Sequence, residues 1–327
     1  MGLTRRQLLK TGTAGIASLA LARQGLSSPP PPRSKLAIVK NASAVDDRDF
    51  VHRGECRRMV QAALELLTGK NQEAEAWTAL GLLPDDVVAI KLNCNRHYFP
   101  LTSHSELTYA VCESLQSVIP ANQVVIYERY TRELADAGYV ENTSSAGVRC
   151  MATEQAGGFE RESKISRLLT DHATKIVHIP TLKYIGGTFQ ASLFLKGHIG
   201  SIRPQDMPSC HDDPLVCTEL LAHPHIRAKN LLNICDALRG TFDTRKPWFY
   251  RGIVAAVDPV AAEVGSLSIL QEKRELEGLS TVSIGRHVTE ADRAYHLGTA
   301  DLQDINILRR ELEPQKSLTR NDSFLDS

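Results

Sequence analysis

Basic and amide side chains follow several short apolar runs of this sequence, at the points where those runs end. Ligands of open α/β sheets bind beyond the carboxyl ends of the strands, so residues at such ends form the candidate site. Basic groups that converge there would suit a small anion, such as a carboxylate or a phosphate. The alternative for any single lysine is that its ammonium group extends into solvent where its strand ends. The predicted substrate-binding residues are Lys91, Asn93, Arg129, Lys183, Asp236 and Asp258 at such ends, together with Lys196, which lies between Gly186-Gly187 and Gly197-x-x-Gly200.

Histidines form a second group of residues that could carry out chemistry, and several of them lie close to aspartates between residues 198 and 225. Imidazole and carboxylate groups together suit zinc, iron or nickel, and imidazole also transfers protons near neutral pH. The predicted catalytic residues are His104, His198 and His211. His198 and His211 are also the predicted ligands of a divalent metal. No pair in this stretch has the i, i+4 spacing of a helical metal site, so histidines that only pack or cap remain the alternative.

Several well-known cofactor motifs are missing from the sequence. None of the seven cysteines forms a C-x-x-C pair, and no G-x-G-x-x-G, Walker or G-x-S-x-G pattern occurs. The sequence therefore gives no support for an iron–sulfur cluster, NAD, ATP or a serine hydrolase, and the cofactor stays unassigned. Cys94, Cys150 and Cys235 punctuate apolar runs, which predicts small buried hydrophobic residues. Cys210 and Cys217 could form a disulfide in an oxidising compartment.

Continuous apolar runs alternate with segments of helical periodicity along most of the chain. Strands are predicted at residues 36–39, 87–92, 124–127, 175–182, 231–235 and 253–257. Helices are predicted at residues 49–67, after a capping box formed by Ser103 and Glu106, and at 131–137, 165–171, 214–222 and 260–270. Fully apolar strands that alternate with helices indicate a mostly parallel sheet with helices on both faces. The predicted fold is a three-layer α/β domain. A small second lobe formed by residues 186–224 is left open as an alternative.

The amino terminus has the features of an export signal. Arg5 and Arg6 precede an apolar run that is too short to span a bilayer, and residues 20–22 read Ala-Leu-Ala. Paired arginines before such a run are typical of the twin-arginine pathway, which carries folded cargo. The predicted organisation is a twin-arginine signal peptide at 1–22, a proline-rich linker at 23–34 and a single α/β domain at 35–327. The predicted location is the periplasm or the extracellular space, and the twin-arginine translocation machinery is a predicted partner.

Charge and hydropathy exclude two further classes of function. Cleavage after Ala22 would leave 35 basic and 38 acidic residues, so the exported protein is mildly acidic. A chain without a basic block is a poor nucleic-acid binder. No later apolar run is long enough for a stable membrane span.

Several segments resemble, in order, the family catalogued as domain of unknown function 362. VAIKLNC and TSHSEL at residues 88–94 and 102–107 are similar to its "IKVNC … THPEL" opening. IYER at 126–129, HIPTLK at 178–183 and LKGHIGSI at 195–202 resemble its central motifs, and DALRG at 236–240 with DPVA at 258–261 resembles its ending. The resemblance implies a twin-arginine leader, which many members carry. The chain departs from the family at Tyr184 and Ile185, where an Asp-His pair is usual, and at Gly197, where asparagine is usual.

The leading functional hypothesis is an exported enzyme that acts on a small anionic substrate, with a divalent metal or other cofactor left open. The alternative is a non-catalytic periplasmic protein for ligand binding or maturation, which the missing Asp-His pair favours. Both hypotheses need the named cationic and imidazole groups to surround one cleft.

Overall fold

The computed structural model describes residues 34–95, 101–244 and 246–314. The predicted signal peptide, and the predicted linker apart from Ser34, lie outside the described residues. The strands are β1 (Ser34–Asn41), β2 (Val88–Leu92), β3 (Val124–Glu128), β4 (Arg149–Ala152), β5 (Lys175–Ile179), β6 (Thr181–Gly186), β7 (Gln190–Ala191), β8 (Asn230–Asp243), β9 (Lys246–Ala256) and β10 (Ile305–Leu312). The α-helices are α1 (Arg53–Thr68), α2 (Glu73–Ala79), α3 (Ser105–Leu115), α4 (Thr131–Asp136), α5 (Phe194–Gly197), α6 (Met207–Asp212), α7 (Pro214–Ala222), α8 (Pro224–Arg227), α9 (Pro259–Leu276) and α10 (Arg286–Arg293).

In the described part of the chain, the strands form one mixed sheet in the order β10-β1-β9-β8-β5-β2-β3-β4, with β6 beside β8 and β7 beside β6. The central strands β8, β5, β2, β3 and β4 pair in parallel. Strand β9 runs antiparallel to both of its neighbours, β1 and β8. The carboxyl ends of the parallel strands therefore share one edge, and β9 ends at the opposite edge.

Helices cover both faces of the sheet, which confirms the predicted three-layer α/β fold. Side chains from α1, α2 and α3 pack with Val88, Ile90 and Leu92 in one buried cluster. Side chains from α5, α7, α9 and α10 pack with Ala89 and Tyr127 in a second cluster on the other face. Since neighbouring residues of a strand point to opposite faces, and both faces are covered, each central strand is apolar at most of its positions.

The predicted small lobe does not have its own core. Phe189, Leu195 and Leu221, from within residues 186–224, belong to the same buried cluster as the sheet residue Ala89. The segment is therefore part of one helical layer. In addition, the predicted strand at 175–182 is two strands, β5 and β6, on either side of Pro180, whose carbonyl accepts the amide hydrogen of Asp236 at 2.8 Å.

Two helix starts show what the local sequence encodes. Asp258 caps α9, and its Oδ1 accepts the amide hydrogens of Val260 and Ala261 at 2.8 Å each, with Pro259 in the first turn. The capping box predicted for α3 is wrong, because the Ser103 hydroxyl instead donates to the carbonyl of Ile179 at 2.6 Å. Ser103 thereby ties the start of α3 to the end of β5.

Candidate functional site

A cleft of about 450 Å³ opens at the edge where the parallel strands end. We call it the carboxyl-edge cleft, and its polar lining includes Asn93, Lys183, Ser192, Lys196 and His211. A smaller space of about 60 Å³ continues from it toward Lys91, Glu128, Arg129 and Glu133. The predicted binding residues Lys91, Asn93, Arg129, Lys183 and Lys196 therefore line these two adjoining spaces, whereas Asp236 and Asp258 do not.

Lys183 lies in β6 and its ammonium group is held by oxygen atoms from the segment that follows β2. Nζ donates to the carbonyl of Asn95 at 2.9 Å and to that of Leu101 at 3.3 Å, with the side-chain oxygen of Asn93 at 3.5 Å. The residue is 3% exposed. Burial lowers the pKa of Lys183 to about 8, and the neighbouring Lys196 acts in the same direction. These oxygen contacts fix one positive charge at the wall of the cleft.

Lys196 lies in the short helix α5 and contributes the second amine of the cleft. Its Nζ is 5.2 Å from the centre of the Phe189 ring, and it makes no hydrogen bond or ion pair with any described residue. Burial lowers the pKa of Lys196, the thiols of Cys217 and Cys210 oppose this, and the charge of Arg129 adds to it. An amine with no acceptor of its own is free to meet a bound molecule.

The position of α5 depends on Glu263, a residue of α9 that sequence reasoning did not single out. Its carboxylate, 1% exposed, accepts the amide hydrogen of Leu195 at 3.0 Å. Burial raises the pKa of Glu263 to about 7, although the amides of Leu195 and Phe194 oppose this change. Glu263 thus binds the first amides of the helix that carries Lys196.

Lys91 is neutralised by a buried partner. Its Nζ lies 2.8 Å from Oε1 of Glu128 and donates to the carbonyl of Leu92 at 2.5 Å. The other carboxylate oxygen accepts the amide hydrogen of Cys94 at 3.1 Å. A Cβ atom at Gly200 would lie only 2.3 Å from Glu128 Oε1, so this glycine allows the ion pair to form. The missing side chain of Gly200 therefore makes room for the side chains of Glu128 and Lys91.

Arg129 is also paired, whereas His211 is available at the mouth of the cleft. The guanidinium group of Arg129 forms a two-contact ion pair with Glu133 on α4. His211 is exposed, and burial, Lys196 and Arg129 all lower its pKa. The imidazole of His211 is therefore neutral near pH 7 and able to accept a proton.

His198 does not reach the cleft. Its ring is buried and lies beside His178, with 5.0 Å between ring centres and 54° between ring planes, and its Nδ1 is 3.2 Å from the Ser201 hydroxyl. Burial lowers the pKa of His198 to about 3, and the charge of Lys91 adds to this. A Cβ atom at Gly197 would lie 1.9 Å from His178, which explains why this chain has glycine there.

The predicted metal site at His198 and His211 is not supported by the described residues, which contain no cluster of three or more His, Cys, Asp or Glu side chains. His198 is inside the core and His211 is at the cleft. A divalent metal held by protein side chains would need more ligands than these.

His104 and Asp236 form a pair on the opposite face of the sheet. Oδ2 of Asp236 lies 2.8 Å from His104 Nδ1 and accepts the His104 amide hydrogen at 2.7 Å. Burial lowers the pKa of His104, but the negative charge of Asp236 and its hydrogen bond have the larger combined effect. The pKa of His104 is therefore raised. Ile234 and Leu238, two positions from Asp236 on either side, belong to the buried cluster beneath α3, so Asp236 faces that cluster. Lys91 lies between Ile90 and Leu92, which also belong to that cluster, so Lys91 points to the opposite face of the sheet. The pair is therefore separated from the carboxyl-edge cleft by the sheet.

Asp258 lies at the wrong edge of the sheet for the predicted site. Because β9 is antiparallel, its end meets the beginning of β1, where the Ser34 hydroxyl donates to Asp258 Oδ2 at 2.5 Å. Its role is to cap α9 and to join that helix to β1. The sequence does indicate the helix cap, because an Asp-Pro pair begins many helices. Nothing in the sequence indicates that β9 runs antiparallel to its neighbours.

Two further cleft residues were not predicted. Ser192 follows β7 and accepts from the Asn93 side chain at 3.3 Å, and Phe189 lies in the turn before β7. Neither belongs to a motif with a known spacing. All seven cysteines are buried free thiols, which confirms the expectation for Cys94, Cys150 and Cys235. The Cys217 thiol donates to the Cys210 carbonyl at 3.6 Å, so these two residues are neighbours without a disulfide.

No known protein-family model matches this chain, and no curated protein is significantly similar to it. None of the helices within residues 34–95, 101–244 and 246–314 is both long and apolar enough to cross a bilayer.

Proposed function

We propose that this protein is an exported enzyme, related to the family catalogued as domain of unknown function 362, that acts on a small anionic substrate in the carboxyl-edge cleft. The observation that carries the proposal is the pair Lys183 and Lys196. Both line the cleft, and neither forms an ion pair with a described residue. Lys91 and Arg129, by contrast, are already neutralised by Glu128 and Glu133.

Two uncompensated amines attract an anion more strongly in a partly desolvated cleft than on an open surface, because the effective dielectric constant is lower. Asn93 and Ser192 add hydrogen-bonding groups that can orient a carboxylate or phosphate. His211 supplies a neutral imidazole for proton transfer. This combination supports acid–base chemistry on a bound acid.

The test is a thermal-shift titration with lactate and inorganic phosphate, and with choline as a cationic control. Ligand binding to the native state raises Tm in a concentration-dependent way. We expect lactate or phosphate to raise Tm, and Lys196→Gln to remove most of the shift. The matched control is Lys70→Gln, because Lys70 is exposed and away from the cleft. Equal shifts in both variants, or an equal shift with choline, would contradict an anion site at Lys196.

A non-catalytic binding or maturation protein is the second candidate. It is favoured by the burial of His198 and by the separation of His104 from the cleft. Incubation with a mixture of small carboxylates and phosphate esters distinguishes the two candidates. An enzyme changes the composition of the mixture, whereas a binding protein only retains members of it through gel filtration.

Export is proposed from the residues outside the described part of the chain. Arg5 and Arg6 support a twin-arginine route, with Arg23 as the first mature residue. The measurement is mass spectrometry of the periplasmic fraction, with and without replacement of both arginines by lysine. A soluble cytoplasmic protein that retains Met1 would refute export.

A further inference from the structure

We infer that the side-chain amine of Lys196 forms a covalent imine with the carbonyl carbon of a small oxo acid in the carboxyl-edge cleft. The inference rests on the proposed anion site and adds a covalent role and a substrate class to it. The substrate would carry a carboxylate for the cationic wall and a ketone or aldehyde for the amine.

The first reason is that Lys196 is the amine of the cleft whose nitrogen is unengaged. Lys183 donates toward three oxygen atoms, and Lys91 is bound to Glu128 and Leu92. No described residue accepts a hydrogen bond from Lys196. The N–H groups of Lys183 and Lys91 are occupied by oxygen atoms, so Lys196 is the amine whose nitrogen can meet a carbonyl carbon bound in the cleft.

The second reason is the charge and polarity around Lys196. Lys183 places positive charge near Lys196, and the Phe189 ring covers one side of the amine at 5.2 Å. A lysine that is partly desolvated beside another cation is activated as a nucleophile for carbonyl substrates. Burial lowers the pKa of Lys196, which agrees with this geometry.

The reaction needs no external oxidant or reductant. The neutral amine attacks the carbonyl carbon, a C–N bond forms, and the electron pair of the C–O π bond moves to oxygen. That oxygen takes up a proton as nitrogen gives one up. Loss of a second N–H proton together with the hydroxyl group releases one water and leaves the C=N bond. His211, which lines the same cleft, is the group placed to relay these protons.

The decisive experiment uses the full-length wild-type protein with pyruvate and sodium cyanoborohydride, followed by peptide mapping of the reduced adduct. We expect labelling at Lys196 to exceed labelling at the exposed Lys70 severalfold. Lys196→Arg keeps the positive charge and should abolish the label at this site. His211→Asn changes an exposed side chain and should slow labelling while circular dichroism and Tm stay unchanged.

Lactate separates this inference from the proposed function, because it carries the carboxylate without a carbonyl carbon. If lactate raises Tm but pyruvate labels Lys196 no faster than Lys70, the imine is refuted and the anion site stands. If lactate has no effect and Lys196 is not labelled, both ideas fail. Preferential labelling of Lys183 would also overturn the assignment to Lys196. The wild-type map gives this answer even if a lysine variant does not fold.

Discussion

Replacing Glu263 by glutamine should make the protein less sensitive to pH, because Glu263 is a buried carboxyl group that is costly to ionise. Its pKa is raised from 4.5 to about 7 by burial. Between pH 4.5 and about pH 7, Glu263 is therefore protonated to a greater extent in the native state than in the unfolded state. The contribution of Glu263 to stability is greatest below pH 4.5 and is lost as pH rises through about 7.

The size of the effect follows from the shift in pKa. A change of one unit corresponds to about 1.4 kcal/mol, so a shift of this size gives about 2 to 3 kcal/mol between pH 5 and pH 8. Glutamine carries no charge and keeps an oxygen that can accept the amide hydrogen of Leu195. We therefore expect Glu263→Gln to gain about 2 to 3 kcal/mol relative to wild type when pH rises from 5 to 8.

The measurement is urea unfolding at pH 5, 6, 7 and 8, followed by the fluorescence of the buried Trp77. Glu75→Gln is the matched control, because Glu75 is an exposed helical residue and should show almost no pH-dependent difference. A difference between wild type and Glu263→Gln that stays constant from pH 5 to pH 8 would refute the assignment of Glu263 as a buried titrating group.

Variants at three other contacts test the remaining geometry. Glu128→Gln should destabilise the protein by about 3 to 5 kcal/mol, because it leaves the Lys91 ammonium buried without a countercharge. The double change of Lys91 to Met with Glu128 to Leu should recover much of that loss in urea unfolding, and no recovery would contradict the pairing. Gly200→Ala should cost about 1 to 3 kcal/mol in the same assay, since its Cβ would press on Glu128, and a neutral result would argue against that contact. Asp236→Asn should lower the pKa of His104 in an NMR titration, and an unchanged midpoint would show that the carboxylate does not control this imidazole.

The part of the site that sequence could predict is the part fixed by strand ends. Continuous apolar runs marked β2 and β5 as buried parallel strands, and polar residues after such strands have to emerge at one edge. Lys91 and Lys183 are therefore placed correctly by pattern alone. Lys196 and His211 lie on short helices, and only the packing of α5 and α6 over the sheet brings them to the cleft.

Two errors have simple geometric causes. The apolar pattern of a strand does not indicate its direction. The prediction treated β9 as parallel to its neighbours, but β9 is antiparallel, so Asp258 lies at the edge opposite to the predicted site. The face of a strand residue depends on register, and a difference of one position separates two sides of the sheet. Asp236 faces the layer of α3, whereas Lys91 faces the other layer, and so the His104 pair cannot share the cleft.

Charge compensation decides which strand-end cations can bind a ligand. Lys91, Arg129 and Lys183 are equivalent in the sequence as strand-end cations, but Glu128 and Glu133 neutralise Lys91 and Arg129. Each of these acids lies beside its own partner and outside the lining of the larger cleft. The positive potential there comes from Lys183, whose charge is fixed by carbonyl oxygens, and from Lys196, whose nitrogen has no acceptor. One held cation beside one unengaged amine is the arrangement on which both the proposed anion site and the inferred imine depend.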